Sequence, residues 1–580
     1  MITLSVEQQA IIDAPLAPLA VVACAGSGKT HTAVHRLLEI RRQMGGDRGR
    51  ATLLSFSNIA VKTFRDIYHP LASSSKGVSR SGVEIDTIDG FITTNILRPH
   101  TARTMGCNRT PFLVSGSEPF LQNRDFQFWA KPATGAAFPV QRADIESVIA
   151  SMNGTVVQFQ FRMHKALIPI NNGAAAVRRL GTIGAYTHSL GQYWALRTLQ
   201  QQPLILKALA HRYPHILIDE AQDIGTLHQA ILRELSKAGS QISLIGDPHQ
   251  GIYDFAGADG TFLSGYGNQE NVLSFPLTRN FRSVPSIVAV ANTLSNREDK
   301  AERIKPELAN GCYFIGYKKE DREKLIVAFQ AGVLEAGLDL TKSAIVCRAR
   351  ATAENVAGTD APTGQGLVKL FARAAVLRDK RQDYLGAFKT VAVCIVGLLN
   401  KPPDGLLASI IHATNDTEIA LRREIWKFAR SSTDGLPDAK LIADTHWHRL
   451  LVARVRLLLE SLQKHFALPT ADNLGNKLAK TALPNTSLMA IPDLATEQQV
   501  MLRIETVHKV KGEGLDALLY LAEKEHAAAL LAGVDTELGR IGYVAVTRAR
   551  NMIWLAVPIK ALEELRPTLV ARGFVEVGTA

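Results

Sequence analysis

Residues 23–30 read Ala-Cys-Ala-Gly-Ser-Gly-Lys-Thr, after the short apolar run at 19–22 and before a helical pattern over 31–40. Strand, glycine loop and helix in that order make a phosphate-binding P-loop. Gly26 and Gly28 let backbone N–H groups point inward at a phosphate, and the new helix presents its positive dipole end there. In this reading Lys29 reaches the β- and γ-phosphates, and the Thr30 hydroxyl sits on Mg²⁺. The stretch Ala23, Cys24, Ala25, Gly26, Ser27, Gly28, Lys29 and Thr30 is therefore expected to cradle a nucleotide. A short A-x-x-x-x-G-K-T match also arises by chance, and the strand and helix flanking it give this one its weight.

The chain has 580 residues, too many for one compact core, so several domains are expected. Its net charge of +12 favours a polyanionic partner without identifying one. The five cysteines are Cys24, Cys107, Cys312, Cys347 and Cys394, and no two form a C-x-x-C pair. Neither a zinc site nor a disulfide framework is implied, and a reducing cytoplasm fits. The N-terminus lacks a basic segment and a long apolar core, so no secretory signal is expected. The apolar run at 391–399 is too short to span a bilayer and reads as buried helix.

Residues 1–91 alternate short apolar runs with helical stretches, with strands expected at 52–56 and 83–86 and a helix from Asn58. This is α/β patterning with a parallel sheet. Residues 92–200 are less regular, and strand patterning returns at 215–218 and 242–245. A second α/β region begins near 276, with strands at 343–347, 515–521 and 552–557, and 361–495 read as mostly helical. The expected division is 1–91 with 201–275 as a first core and 92–200 as its insertion. Residues 276–360 with 496–580 form a second core, and 361–495 form its helical insertion.

The buried run Ile216-Leu217-Ile218 ends in Asp219 and Glu220. After a P-loop, this position needs one carboxylate for Mg²⁺ and one to orient or deprotonate water. Asp219 is the metal candidate and Glu220 the water-activating candidate.

The run Asp219-Glu220-Ala221-Gln222-Asp223 resembles the D-E-x-Q-D motif of the UvrD/Rep-like helicases of superfamily 1. Leu4-Ser5-Val6-Glu7-Gln8 resembles the family's N-terminal glutamine motif. Ser55-Phe56-Ser57-Asn58 resembles T-F-T-N, and Thr87-Ile88-Asp89-Gly90-Phe91 resembles its T-F-H/D-x-F segment. Gly246-Asp247-Pro248-His249-Gln250-Gly251-Ile252-Tyr253 resembles G-D-x-x-Q-x-I-Y, and Leu277-Thr278-Arg279-Asn280-Phe281-Arg282-Ser283 resembles L-x-x-N-Y-R-S. Thr506-Val507-His508-Lys509-Val510-Lys511-Gly512 resembles T-x-H-x-x-K-G, and Tyr543-Val544-Ala545-Val546-Thr547-Arg548-Ala549 resembles Y-V-A-x-T-R-A. The motifs run in family order from residue 4 to 549. The resemblance implies an α/β fold of two RecA-like parallel-sheet cores of P-loop NTPase type, each interrupted by a largely helical inserted subdomain.

It also implies roles. The Gln8 amide can donate and accept at once, which suits the adenine edge. Phe281 stands where the family stacks a tyrosine on adenine, and His31 stands where it often has arginine against the base. Arg282 and Arg548 are the charge-stabilising candidates, since arginine forks match the oxygens of a transferring γ-phosphoryl group. Gln250 resembles the residue that senses the γ-phosphate. Glu513 is the candidate for a ribose contact, one position displaced from the family's glutamate. Phe56, Asn58, Thr87, Tyr253, Phe255, His508 and Lys511 fall where the family contacts single-stranded DNA. Aromatic stacking there contributes about 1–3 kcal/mol per base. Asp254 and Ala256 replace arginines that commonly flank the aromatic pair.

Two functions follow from the resemblance. The first is an ATP- and Mg²⁺-dependent DNA helicase of 3′-to-5′ polarity, acting on single-stranded DNA and its junctions with duplex in repair, recombination or phage defence. The second is a DNA-end-stimulated ATPase serving as sensor or regulatory subunit of a separate nuclease. No appended nuclease signature is visible, so that nuclease would be another polypeptide. A membrane partner is not expected, and the location expected is cytoplasmic.

Overall fold

The computed structural model describes residues 4–45, 49–74, 82–163, 166–253, 257–258, 260–303, 311–348, 366–380, 382–400, 402–403, 406–411, 413, 415–480, 483–489 and 502–579. The chain divides into two compact units, one of Met1–Gly116, Asn123–Arg350 and Met501–Ala580, the other of Ser117–Gln122 and Ala351–Val500.

The first unit holds two six-stranded sheets. The first sheet runs Leu273–Leu277, Leu19–Ala23, Gln241–Gly246, His215–Asp219, Ala51–Ser55, Val83–Thr87 in spatial order, every neighbouring pair parallel. Ile216, Leu217 and Ile218 are fully buried, as a strand covered on both faces requires. The second sheet runs Arg503–Thr506, Ala344–Cys347, Leu515–Leu521, Ala549–Pro558, Gly311–Tyr317, Val575–Thr579, again parallel throughout. These are the two RecA-like cores. One hydrophobic cluster around Val21, Leu37 and Leu217 fills the first, and another around Phe314, Leu518 and Ile553 fills the second.

Parallel strands put all their carboxyl ends on one edge, and ligands of open α/β sheets bind there. In the first sheet that edge carries the P-loop after Leu19–Ala23, Asp219 at the end of His215–Asp219, Asp247 after Gln241–Gly246 and Phe56 after Ala51–Ser55. The strand Leu273–Leu277 straddles the 275/276 division and leads directly to Phe281 and Arg282.

The insertion into the first core mixes helices, among them Gly173–Thr182 and His188–Gln201, with a three-stranded antiparallel sheet of Val148–Asn153, Val156–Met163 and Ala166–Pro169. The second unit is built from helices that include Gly366–Asp379, Tyr384–Gly397, Asp416–Arg430 and His448–Phe466. They close on Phe371, Phe388 and Trp447. The apolar run at 391–399 lies mostly within Tyr384–Gly397, with Val391 and Ile395 in that core. No helix among the described residues is long and apolar enough to cross a membrane.

Candidate active site at the strand ends

The P-loop is held by its own backbone and by the segment that follows Leu273–Leu277. Cys24 N donates to Leu277 O at 2.8 Å, and Phe281 N donates to Gly26 O at 2.9 Å. Gly26 and Gly28 have φ of +71° and +78°, a region that L side chains avoid. The Gln8 amide is engaged at both ends: its Oε1 accepts from Ser5 N at 2.9 Å and its Nε2 donates to Ser27 O at 3.0 Å. Gln8 thereby ties the helix Val6–Asp13 to the loop. Lys29 Nζ donates to Cys24 O at 3.3 Å, while Thr30 and His31 are half-buried at the start of Lys29–Met44. Ala23, Cys24 and Ala25 are buried, and burial pushes the Cys24 thiol up to about 12, so it stays protonated.

Asp219, at the end of His215–Asp219, and Glu220 after it lie within the electrostatic reach of Lys29. Burial, reinforced by Glu220, raises the Asp219 carboxyl to about 7 against the pull of Lys29. Burial also opposes ionisation of Glu220, but Lys29, Lys511, Gln222 and Arg548 outweigh it and hold Glu220 below the usual carboxylate range. Two adjacent carboxyls with diverging proton affinities suit one metal ligand and one base. Asp219 Oδ1 is buried and has no hydrogen-bond partner among the described residues. Such an orphaned oxygen fits a cation or its water, and Mg²⁺ is commonly bound through one or two carboxylates plus substrate phosphates. Glu220 sits at φ +56°, a strained conformation of the kind that clusters at functional sites.

The second core supplies the cations. Arg282 Nη1 donates to Thr547 O at 3.1 Å, and Arg548 Nη2 donates to Gln250 Oε1 at 2.8 Å. Gln250 Nε2 in turn donates to Asp247 Oδ2 at 2.8 Å. Burial, with Arg548 nearby, lowers Arg282 to about 9. Burial lowers Arg548 too. Lys29, Glu220, Gln250, Arg282 and Arg548 are thus gathered at one edge of the first sheet.

The residues expected on DNA are more dispersed. Tyr253 and His508 have ring centroids 5.7 Å apart, and Lys511 Nζ lies 5.0 Å from the Tyr253 centroid. Lys511 is buried against Asp223, with Nζ 2.6 Å from each carboxylate oxygen and 2.8 Å from Gln250 O. It joins the two cores instead of lying open on a surface. Phe56 packs edge-on against His228 at 5.8 Å, Asn58 is exposed at the start of Asn58–Ser74, and the Thr87 hydroxyl caps the next helix through Gly90 N at 3.0 Å. Phe281 is 42% exposed, enough to offer a ring face. Glu513 Oε2 pairs with Arg503 at 2.6 Å, and its carbonyl accepts from Arg548 Nη1 at 3.4 Å. Phe255, with Asp254 and Ala256, lies outside the described residues.

Sequence reasoning missed three participants. Asp223 and Asp247 lie inside quoted motifs, yet nothing in their spacing announces Lys511 or Gln250 as partner. Arg297 lies in no motif, and it sits 3.8 Å from Asp247.

Two parallel-sheet cores, a P-loop at a strand end and arginines from the second core define a two-core P-loop NTPase. Residues 4–148 and 186–269 match the UvrD/REP helicase N-terminal domain family. DNA helicase II of Escherichia coli is 25% identical over 372 residues, covering 60% of this chain and 49% of that protein. ATP-dependent DNA helicase UvrD1 of Mycobacterium bovis is 23% identical over 565 residues, 90% of this chain and 68% of that one. A stretch of 102 residues, 17% of this chain and 9% of the relative, is 35% identical to an ATP-dependent helicase/nuclease subunit from Carboxydothermus hydrogenoformans. Residues 4–148 and 186–269 are thus similar to the UvrD/REP helicase N-terminal domain, and the matched relatives are helicases of that type. The chain's match spans about half the length of the Escherichia coli helicase.

Proposed function

We propose that this protein is an ATP-driven motor that moves 3′ to 5′ along single-stranded DNA and separates the duplex ahead of it. The observation that carries the reading is the bond from Arg548 Nη2 to Gln250 Oε1, which links the second core to the nucleotide edge of the first.

In this reading the P-loop amides and Lys29 bind the ATP phosphates, and Phe281 with Gln8 borders the base. Thr30 and Asp219 would hold Mg²⁺, which neutralises phosphate charge when bound. Glu220 orients the attacking water and accepts its proton. Arg282 and Arg548 stabilise charge on the transferring phosphoryl group, so hydrolysis requires the two cores to be together. Tyr253 and His508 border the strand, and Lys511 lies between them and Asp223. A base stacked on Tyr253 is then one side chain from the motif that carries Glu220.

The test is ATPase and unwinding on 3′-tailed, 5′-tailed and blunt duplexes. Unwinding of the 3′-tailed substrate alone is expected, and Lys29→Ala should abolish turnover. Unwinding only from 5′ tails would sink the polarity, and full turnover in Lys29→Ala would sink the site. The similarity to a helicase/nuclease subunit favours a second reading, an ATPase stimulated by DNA ends that drives a separate nuclease. DNA-stimulated hydrolysis without unaided unwinding would select it.

A further inference from the structure

Arg297 follows the helix Pro285–Ser295, where Asn296 adopts a left-handed conformation at φ +52° and turns the chain. The new direction is fixed by Asn292, whose Nδ2 donates to Asp299 O at 2.9 Å while its Oδ1 accepts from Asp299 N at 3.1 Å. Asp299 then grips the guanidinium through two bonds, Arg297 Nε to Oδ2 at 2.9 Å and Nη2 to Oδ1 at 3.1 Å. The remaining nitrogen, Nη1, points at the nucleotide edge. It lies 3.5 Å from Ala23 O, the first residue of the P-loop, and 3.8 Å from Asp247 Oδ1.

Asp247 is wholly buried. Its other contacts set the geometry of the loop that follows: Oδ1 accepts from His249 N at 3.1 Å and Oδ2 from Gln250 Nε2 at 2.8 Å. Arg297 is the only cation in ion-pair range of Asp247 among the described residues. A buried carboxylate that loses its cation seeks another partner or a proton, and either change releases the groups it was holding. A planar guanidinium that bonds one carboxylate through two nitrogens and turns the third toward a second carboxylate is a task for arginine that lysine does not duplicate. A polar path therefore runs from Arg297 through Asp247 and Gln250 to Arg548.

We propose that Arg297 is a positioning residue for ATP hydrolysis: held by Asp299, it fixes Asp247 and so orients Gln250 against Arg548, while steadying the start of the P-loop. This inference rests on the ATPase reading of the same site and adds a residue outside every motif.

The experiment compares wild type, Lys29→Ala, Arg297→Ala, Arg297→Gln and Arg297→Lys in steady-state ATPase with saturating single-stranded DNA, alongside thermal melts. Arg297→Ala and Arg297→Gln should lose about tenfold to a hundredfold in kcat, the scale set by misplaced catalytic geometry. KM for ATP should hold, because no nucleotide contact is removed. Arg297→Lys should recover part of kcat. Wild-type kcat in a folded Arg297→Ala or Arg297→Gln protein overturns the proposal. So does a loss of kcat that only tracks the unfolded fraction at the assay temperature. Turnover that Lys29→Ala abolishes and the Arg297 variants leave intact overturns this proposal alone, whereas a wild type without ATPase overturns the function with it.

Discussion

Arg548 Nη2 donates to Gln250 Oε1 at 2.8 Å across a sequence separation of 298 residues. Two further cations of the second core reach the same turn: Lys511 Nζ bonds Gln250 O at 2.8 Å, and Arg540 Nε bonds Gly251 O at 2.6 Å. Gln250 faces Asp247 with its amide nitrogen and Arg548 with its oxygen. One amide thus reads a first-core carboxylate and a second-core guanidinium together, which gives the two cores a shared register at the P-loop edge of the first sheet.

On the proposed ATPase reading, Arg548→Ala should lower kcat for ATP hydrolysis by about 10³-fold or more, the scale of an arginine that meets transition-state charge. Arg548→Lys should recover little, because a point charge cannot fork across phosphoryl oxygens and Gln250 together. Gln250→Ala combined with Arg548→Ala should lose much less than the product of the single losses, since the two act through one bond. Steady-state kinetics on the four proteins measures this, and multiplicative losses would count against a shared role.

Glu220→Gln should bind ATP normally and lose about 10²- to 10⁴-fold in turnover, the usual contribution of a positioned general base. Its melting temperature should fall, because Lys29, Lys511, Gln222 and Arg548 together outweigh burial and favour the charged Glu220 side chain, and glutamine forfeits that attraction. Nucleotide-binding titration, turnover and a thermal melt separate these effects. Turnover equal to wild type would remove Glu220 from the chemistry.

Asp223 gives the pH prediction. Burial lifts its carboxyl from 3.8 to about 6, although Lys511 pulls it down. A carboxyl raised on folding binds more protons in the native state than in the unfolded one between those values. Its contribution to stability is present below the unfolded value and is lost as pH rises through about 6. Wild type should therefore lose stability relative to Asp223→Asn as pH goes from 5 to 7.5, read as the difference between their melting temperatures. A difference flat across that range would contradict the assignment. Lys511→Met, by contrast, should be strongly destabilising above that range, by about 3–5 kcal/mol, because it leaves Asp223 charged, buried and alone.

Sequence patterning located strands covered on both faces, such as His215–Asp219 and Leu515–Leu521, where apolar residues dominate, and also the edge strand Val83–Thr87, but not the buried Gly311–Tyr317, whose two glycines weaken the pattern. Leu273–Leu277 escaped it. This strand is at the sheet edge, largely exposed, and carries Pro276, which an edge tolerates and a sequence pattern counts against a strand. Val575–Thr579, at the edge of the second sheet, escaped it too, because Glu576 and Gly578 leave no sustained apolar run. The site divides similarly. Lys29, Asp219, Glu220, Gln250, Arg282 and Arg548 sit in motifs with fixed local spacing. Arg297 depends on a left-handed turn at Asn296 and a clamp by Asn292, and neither leaves a periodic or compositional trace. Lys511 was legible as a motif residue, but its partner Asp223 lies 288 positions away.

Gly26 and Gly106 separate backbone strain from crowding at the P-loop. Both have positive φ, +71° and +73°, so alanine at either costs about 1–2 kcal/mol in the left-handed region. A methyl group on Gly106 meets nothing within 4 Å. On Gly26 it comes within 2.5 Å of Arg282 Cβ and 2.9 Å of Asn280 Oδ1. That Asn280 oxygen accepts the N–H groups of both Arg282 and Ser283 at 2.8 Å, so it holds the arginine's backbone. Gly106→Ala should therefore lower the melting temperature and leave kcat unchanged. Gly26→Ala should lower the melting temperature at least as much and also lower kcat, because room for its methyl comes only by shifting Arg282 off the loop. Melting curves and ATPase rates of the two variants test this, and a Gly26→Ala protein with the kcat of Gly106→Ala would show that the packing of Arg282 on the loop does not matter for turnover.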